Sequence, residues 1–322
     1  MSASFVLDEA SWGEIPSSDS ALASAIDQLL ERIEYARSRR EPVYRLEDFY
    51  YLKLHDGQTL CDFLYSSDAL NDGQRELERD LLLRLSEALD KTAPPPTEEL
   101  MSGEAEMEGT ACFAPAICWA HVQQRQRKPT ALLPLPLTHR FAGHVEVRVD
   151  GLELLLFFVT SRQEHLDFVR DAVLLERADV QTFAARCPLC FPDLEWSDTA
   201  LDELSRWKYF RQDSALTLRH LAVLNDHGAR LFCEHPGGMG VEEQLGALGV
   251  NASTENGNTR SHAPSRQDRT RRFRGEALLF WWHTKMTPQE GRIHFHHVPP
   301  KLPSDEHPNG RIVIGIFTDH CR

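Results

Sequence analysis

The 322-residue sequence predicts an α+β protein, and three observations carry that expectation. Two stretches near the N-terminus repeat apolar residues at three- and four-residue steps, a hairpin signal stands mid-chain, and strand-like runs close the sequence. The expected layout is a mainly helical, acidic N-terminal region (1–110), a mixed α/β middle (111–250) and a basic, His-rich C-terminal module with an antiparallel β-sheet (251–322).

In order along the chain, residues 18–40 place Leu22, Ala25, Ile26, Leu29, Leu30, Ile33 and Ala36 on one helical face, with Ser17 or Ser18 available as a cap. Residues 73–91 repeat the pattern through Leu77, Leu81, Leu82, Leu85 and Leu89 and stop at Pro94-Pro95-Pro96. The stretch 93–110, rich in Pro, Glu and Gly without periodicity, reads as a loop or linker. Val145, Val147 and Val149 then alternate with polar residues, Asp150-Gly151 supplies a positive-φ turn, and an apolar strand follows to Val159. Helices are expected at 162–177, 199–210 and 214–226. Gly237-Gly238-Met239-Gly240 lacks the following Lys-Ser/Thr of a phosphate loop and reads as a turn. Residues 251–272, nearly devoid of apolar side chains, read as a mobile linker or a loop ordered by a ligand.

Composition bounds the function. No apolar run approaches the roughly 18–20 residues of a membrane helix, and the first twenty residues carry acids without a basic leader, so a cytoplasmic address with no membrane partner is expected. The formal charge of −14 is uneven: residues 251–322 hold 11 Lys+Arg against 7 Asp+Glu, a net of +4, and seven of the fifteen histidines. An acidic body with a basic end either folds back on itself or presents that end to a polyanion. Seven scattered cysteines fit a reducing compartment. Cys187-Pro-Leu-Cys190 with Cys233 and His235 is a weak zinc set, and Cys112, Cys118 and His121 a weaker one; buried thiols are the default.

The C-terminus carries the most chemistry. Three strand-like runs, Glu276 to Lys285, Arg292 to Val298 and Arg311 to Thr318, follow one another, the first two joined by a short loop around Pro288-Gln289. Centring that loop sets Lys285 opposite Arg292, His283 opposite His294 and Trp281 opposite His296, with Trp282 against Phe295 and Thr284 against Ile293 behind them. A one-residue slip would set apolar against polar residues, so the pattern resists it. One face is then core, and the other gathers two histidines, a lysine and an arginine. Such a face suits a phosphodiester: Lys285 and Arg292 hold phosphate, His283 and His294 move protons, and Trp281 offers a surface for a base. Glu255 and Glu276 are alternative bases, while Arg271, Arg272, Arg274 and His296 can follow a nucleic-acid backbone. The arrangement supports metal-free RNA cleavage, with no cofactor. Two other readings stand beside it. His294-x-His296 with His283, joined by Asp319 or His320, has metal-ligand spacing. Alternatively, the histidines are satisfied surface residues, and the basic face partners the acidic body.

Ser253-x-Glu255, Arg271-Arg272-Phe273, Trp282-His283-Thr284-Lys285, Arg292-Ile293-His294-Phe295 and Ile314-Gly315-Ile316, with His220 to His227 upstream, resemble the C-terminal signature of an uncharacterised bacterial family. The resemblance spans roughly residues 215–320 and implies no activity. More loosely, the Arg-Ile-x-Phe strand followed by a short Gly-containing strand is similar to RelE-like toxin ribonucleases, an analogy that transfers no residue roles. The expected function is a nuclease, a toxin-like or phage-defence ribonuclease, with RNA and an antitoxin-like protein inhibitor as candidate partners. A non-enzymatic nucleic-acid- or protein-binding module is the alternative, and a His-ligated metal-dependent hydrolase a third.

Overall fold

A computed structural model describes residues 3–14, 19–53, 57, 59–65, 80–81, 83–88, 103–135, 141–300 and 308–319. The chain is α+β and divides into two compact units, 1–176 and 177–322. This division differs from the three regions expected, whose boundaries at 110 and 250 each fall inside a unit.

The first unit is built on a seven-stranded sheet in the order β2-β1-β5-β7-β6-β3-β4. Its strands are β1 (Ser4–Leu7), β2 (Val43–Tyr44), β3 (Glu104–Met107), β4 (Thr110–Phe113), β5 (Thr130–Leu133), β6 (Gly143–Val149) and β7 (Leu152–Phe158). β2, β1, β5 and β7 run parallel; β6, β3 and β4 continue antiparallel. The described part of the N-terminal region is mainly helical, as expected, but β1, β2 and β3 also place it in this sheet, and helix Asp19–Ser38 is the crossover between β1 and β2. That helix buries Ala25, Ile26, Leu29, Leu30, Ile33 and Ala36, the face its periodicity announced. Its start at Ser17 or Ser18 lies outside the described residues. Of the helix expected at 73–91, residues 80, 81 and 83–88 are described and helical, with Leu81 and Leu85 buried.

The mid-chain hairpin forms as expected, Val149 pairing with Leu152 across Asp150 and Gly151, both at positive φ. The expected loop at 93–110 is corrected where it is described. Residues 104–107 form β3, and Glu108-Gly109, again both at positive φ, turn it into β4. Helix Arg162–Leu175 begins with a capping box in which Ser161 and Glu164 satisfy each other's backbone N–H.

The second unit holds a five-stranded sheet, β8-β14-β13-β12-β9, formed by β8 (Leu194–Trp196), β9 (Ala252–Thr254), β12 (Trp282–Lys285), β13 (Arg292–Val298) and β14 (Arg311–Thr318). All neighbours pair antiparallel except β8 and β14. A separate two-stranded ladder joins β10 (Thr270–Phe273) and β11 (Glu276–Leu279). The helices expected at 199–210 and 214–226 are Ala200–Arg206 and Ser214–Val223, the latter running into a π-helical turn at Leu224–Gly228. There Gly228 lies against Ile312, and a Cβ would meet that side chain at 2.9 Å. The glycine cluster is a turn, with Gly237, Gly238 and Gly240 at positive φ.

Two expectations at the C-terminus are corrected. Residues 251–272 carry regular structure rather than a featureless linker, as β9, helices Gly257–Ser261 and Ala263–Asp268, and the start of β10. The run from Glu276 to Lys285 breaks at Phe280 and Trp281 into β11 and β12, which belong to different sheets. The reason lies in the backbone bonds: Phe280 N–H donates to the Arg269 carbonyl, and the Trp281 carbonyl accepts from Glu255 N–H. The fully buried Phe280 ring rests over Gly315, where a Cβ would lie 2.3 Å from it.

Candidate functional site

The register expected for the C-terminal hairpin is the register found: Lys285 opposite Arg292, Thr284 opposite Ile293, His283 opposite His294, Trp282 opposite Phe295. Its polar face is not solvent-exposed, however. Arg292, His283 and His294 are all buried, His294 completely. The exposed basic face is thus corrected to a covered polar cluster.

Three elements assemble this cluster. β12 and β13 bring the two imidazole rings to 5.1 Å between centroids. β9 pairs with β12 so that Ser253 faces His283, which carries Glu255 alongside both rings. Donor atoms of Glu255, His283 and His294 lie within 4.8 Å of one another. The segment 255–269 leaves and returns at the β11–β12 break, Glu255 bonding Trp281 and Arg269 bonding Phe280. Its second end delivers Arg269, whose Nε donates to Glu255 Oε1 at 3.0 Å with both side chains nearly buried.

The hydrogen bonds define the rings' roles. His294 Nδ1–H donates to the Phe280 carbonyl at 3.2 Å, so in the neutral ring the lone pair sits on Nε2, which is buried without a partner. His283 has a buried Nδ1 without a partner, and its Nε2 lies 3.4 Å from Ser253 Oγ. Burial, reinforced by Lys285 and Arg292, pushes His283 down to about 4 against the pull of Glu255. Burial with Arg269 and His283 holds His294 well below the usual histidine value. Both imidazoles are therefore neutral at pH 7.

The other expected site residues separate from this centre. Arg292 gives its guanidinium to its own hairpin loop, bonding the carbonyls of Thr287, Pro288, Glu290 and Gly291 at 2.8 to 3.0 Å. Arg271 pairs with Glu203 at 2.7 Å and Arg274 with Glu195 at 2.9 Å, so part of the basic end does fold onto acids of its own unit. Arg272 is exposed, Lys285 and Trp281 are half-buried, and Glu276 is exposed beside the Arg274-Gly275 turn. His296 is turned away by a β-bulge after His294, and its Nδ1–H donates to the Leu279 carbonyl at 2.9 Å. Asp319 accepts from Tyr209 N–H, and His320 lies outside the described residues. Cys187 and Cys190 are buried, the Cys187 thiol pushed far up by that burial, while Cys233 is exposed. Among the described residues neither cysteine set forms a ligand group.

Sequence reading missed Arg269, because a salt bridge across fourteen residues of chain has no periodic signal. It also missed two buried groups in the first unit. His165 Nε2 meets Glu41 Oε2 at 2.6 Å, and elsewhere in the unit Asp8 is a buried acid with the half-buried Glu9 next to it in sequence. No protein-family model matches the chain, and no curated protein or solved structure matches it either.

Proposed function

We propose that residues 177–322 form a nuclease unit acting on RNA, with its centre at Glu255, His283 and His294. The observation that carries this reading is the convergence of one carboxylate and two neutral imidazoles within 4.8 Å at the basic end of the chain. Arg260, Arg266 and Arg272 lie exposed on and just after the 255–269 segment and suit phosphate contacts, with Lys285 half-buried closer to the centre. In the reaction the ribose 2′-hydroxyl loses its proton to a centre base and attacks the adjacent phosphorus. A 2′,3′-cyclic phosphate forms, and the departing 5′-oxygen takes up a proton. A neutral imidazole or Glu255 suits the base. Burial weighs against an imidazolium as the acid, and so against the metal-free histidine pair that spacing alone suggests.

The test is cleavage of end-labelled single-stranded RNA, in EDTA and then with Mn²⁺ or Zn²⁺, beside the His283→Ala/His294→Ala double variant. Cleavage by the unaltered protein alone supports the reading; no cleavage in any condition removes it for RNA. A second reading is favoured by the ion pairs Arg269–Glu255, Arg271–Glu203 and Arg274–Glu195: a non-enzymatic module whose cations serve its own fold. A phosphate-binding surface loses RNA affinity steeply with salt, whereas such a module binds no RNA even at low salt.

A further inference from the structure

His294 presents an unmet demand. Its ring is fully buried, its Nδ1–H is spent on a backbone carbonyl, and its Nε2 lone pair has no hydrogen-bond donor. A buried polar atom left this way is unfavourable unless something else meets it. The His283 ring lies beside it, tilted by 39°, with a buried Nδ1 that meets no hydrogen-bond partner, and Glu255 accepts from Arg269 through Oε1. One potential ligand atom from each of the three residues lies within 4.8 Å of the other two.

We infer that Glu255, His283 and His294 hold a divalent first-row transition-metal ion of the zinc class, in a two-histidine, one-carboxylate set. Two imidazoles select against magnesium and calcium, which prefer all-oxygen shells. Ligand bonds of about 2.0–2.2 Å would draw the donors from within 4.8 Å to about 3–3.5 Å, a movement within side-chain reach. The outer contacts such a site needs are in place. The His294 Nδ1–H bond to the Phe280 carbonyl orients that ring, and Arg269 orients the carboxylate while leaving Oε2 for the ion. Three protein ligands leave a further coordination position, and the nearby Arg269, Arg292 and Lys285 favour an anion there, a hydroxide or a phosphate oxygen. His296 and Asp319, candidates from spacing, are not in the group of donor atoms that converge within 4.8 Å among the described residues.

This inference shares its residues with the ribonuclease reading and rests on it only for the anion expected in the open position; with an ion bound, the base would be a hydroxide in that position rather than one of the three ligands, and the experiment therefore reads metal, not cleavage. Full-length protein is stripped with a chelator and loaded with Zn²⁺ or Co²⁺. Metal per chain is then measured by plasma mass spectrometry, the Co²⁺ spectrum recorded, and affinity obtained by calorimetry. One ion per chain is expected, with visible Co²⁺ bands. Affinity should fall roughly 10- to 100-fold in both Glu255→Gln and His294→Asn and stay unchanged in His296→Asn. Glu255→Gln nearly preserves shape, so it decides the matter if His294→Asn does not fold. Absence of stoichiometric binding, or undiminished binding in Glu255→Gln, overturns the inference. One bound ion without RNA cleavage leaves the metal site standing and removes the ribonuclease reading.

Discussion

Buried ionisable residues set opposite pH responses in the two units. In the first, burial raises Asp8 to about 7 and Glu9, with Asp8 beside it, to about 8. The fold therefore favours the neutral acids. Their contribution is full below the unfolded carboxylate range, near pH 4, and is lost as pH rises through 7 to 8. Asp8→Asn keeps an acceptor for the Ala10 N–H and removes the charge. Melting followed by circular dichroism should show the first unit stabilised by several degrees at pH 8.5 and little changed at pH 3.5. Equal shifts at both would refute the account. In the second unit, burial with Arg219 lowers His220 to about 4. That stability is present above pH 6.5 and is lost as pH falls toward 4. His220→Gln should flatten the acid limb of the second unit's melting profile, and a wild-type slope in the variant would sink this.

Single elements depend on a few close approaches. Arg292 closes the β12–β13 loop with four carbonyl bonds, so its work is structural even though its sequence neighbours suggested phosphate. Arg292→Lys keeps the charge but cannot reproduce the planar fork. It should cost about 1–3 kcal/mol in urea denaturation, with RNA affinity at low salt lowered only as far as folding is. Unfolding stability equal to the parent would return Arg292 to the phosphate role. On β14, Gly315 admits the Phe280 ring where a Cβ would lie 2.3 Å away. Gly315→Ala should therefore destabilise the second unit by about 1–3 kcal/mol or more, since the fully buried ring has little room to withdraw. The hairpin register was legible because Trp282, Thr284, Ile293 and Phe295 alternate with polar residues, and a period of two admits one alignment only.

For the whole molecule, the division at 176/177 implies that each unit owns its core. The second unit packs Phe280, Val313 and Ile316 into one buried cluster and holds the pairs Arg269–Glu255, Arg271–Glu203 and Arg274–Glu195 within itself. Residues 177–322 expressed alone should show one cooperative thermal transition with a mixed α+β spectrum. A broad, non-cooperative melt would mean that the fragment needs the first unit. Neither boundary expected from composition marks this division. The Pro-rich stretch precedes a strand that joins the sheet, and the apolar-poor stretch at 251–272 supplies β9 and the arm carrying Arg269.

What the sequence by itself determined is local and periodic: helix Asp19–Ser38, the Asp150-Gly151 hairpin, the β12–β13 register and the nearness of His283 to His294. Each follows from spacing along one or two adjacent elements, where steric periods of 3.6 and 2 govern. Only the tertiary structure decided that the parallel strands β1, β2, β5 and β7 share a sheet. It alone decided that the polar hairpin face is covered, and that Glu255 and Arg269 meet above it. Those outcomes depend on pairings between residues far apart in the chain and on which surfaces exclude water, and no local pattern encodes either.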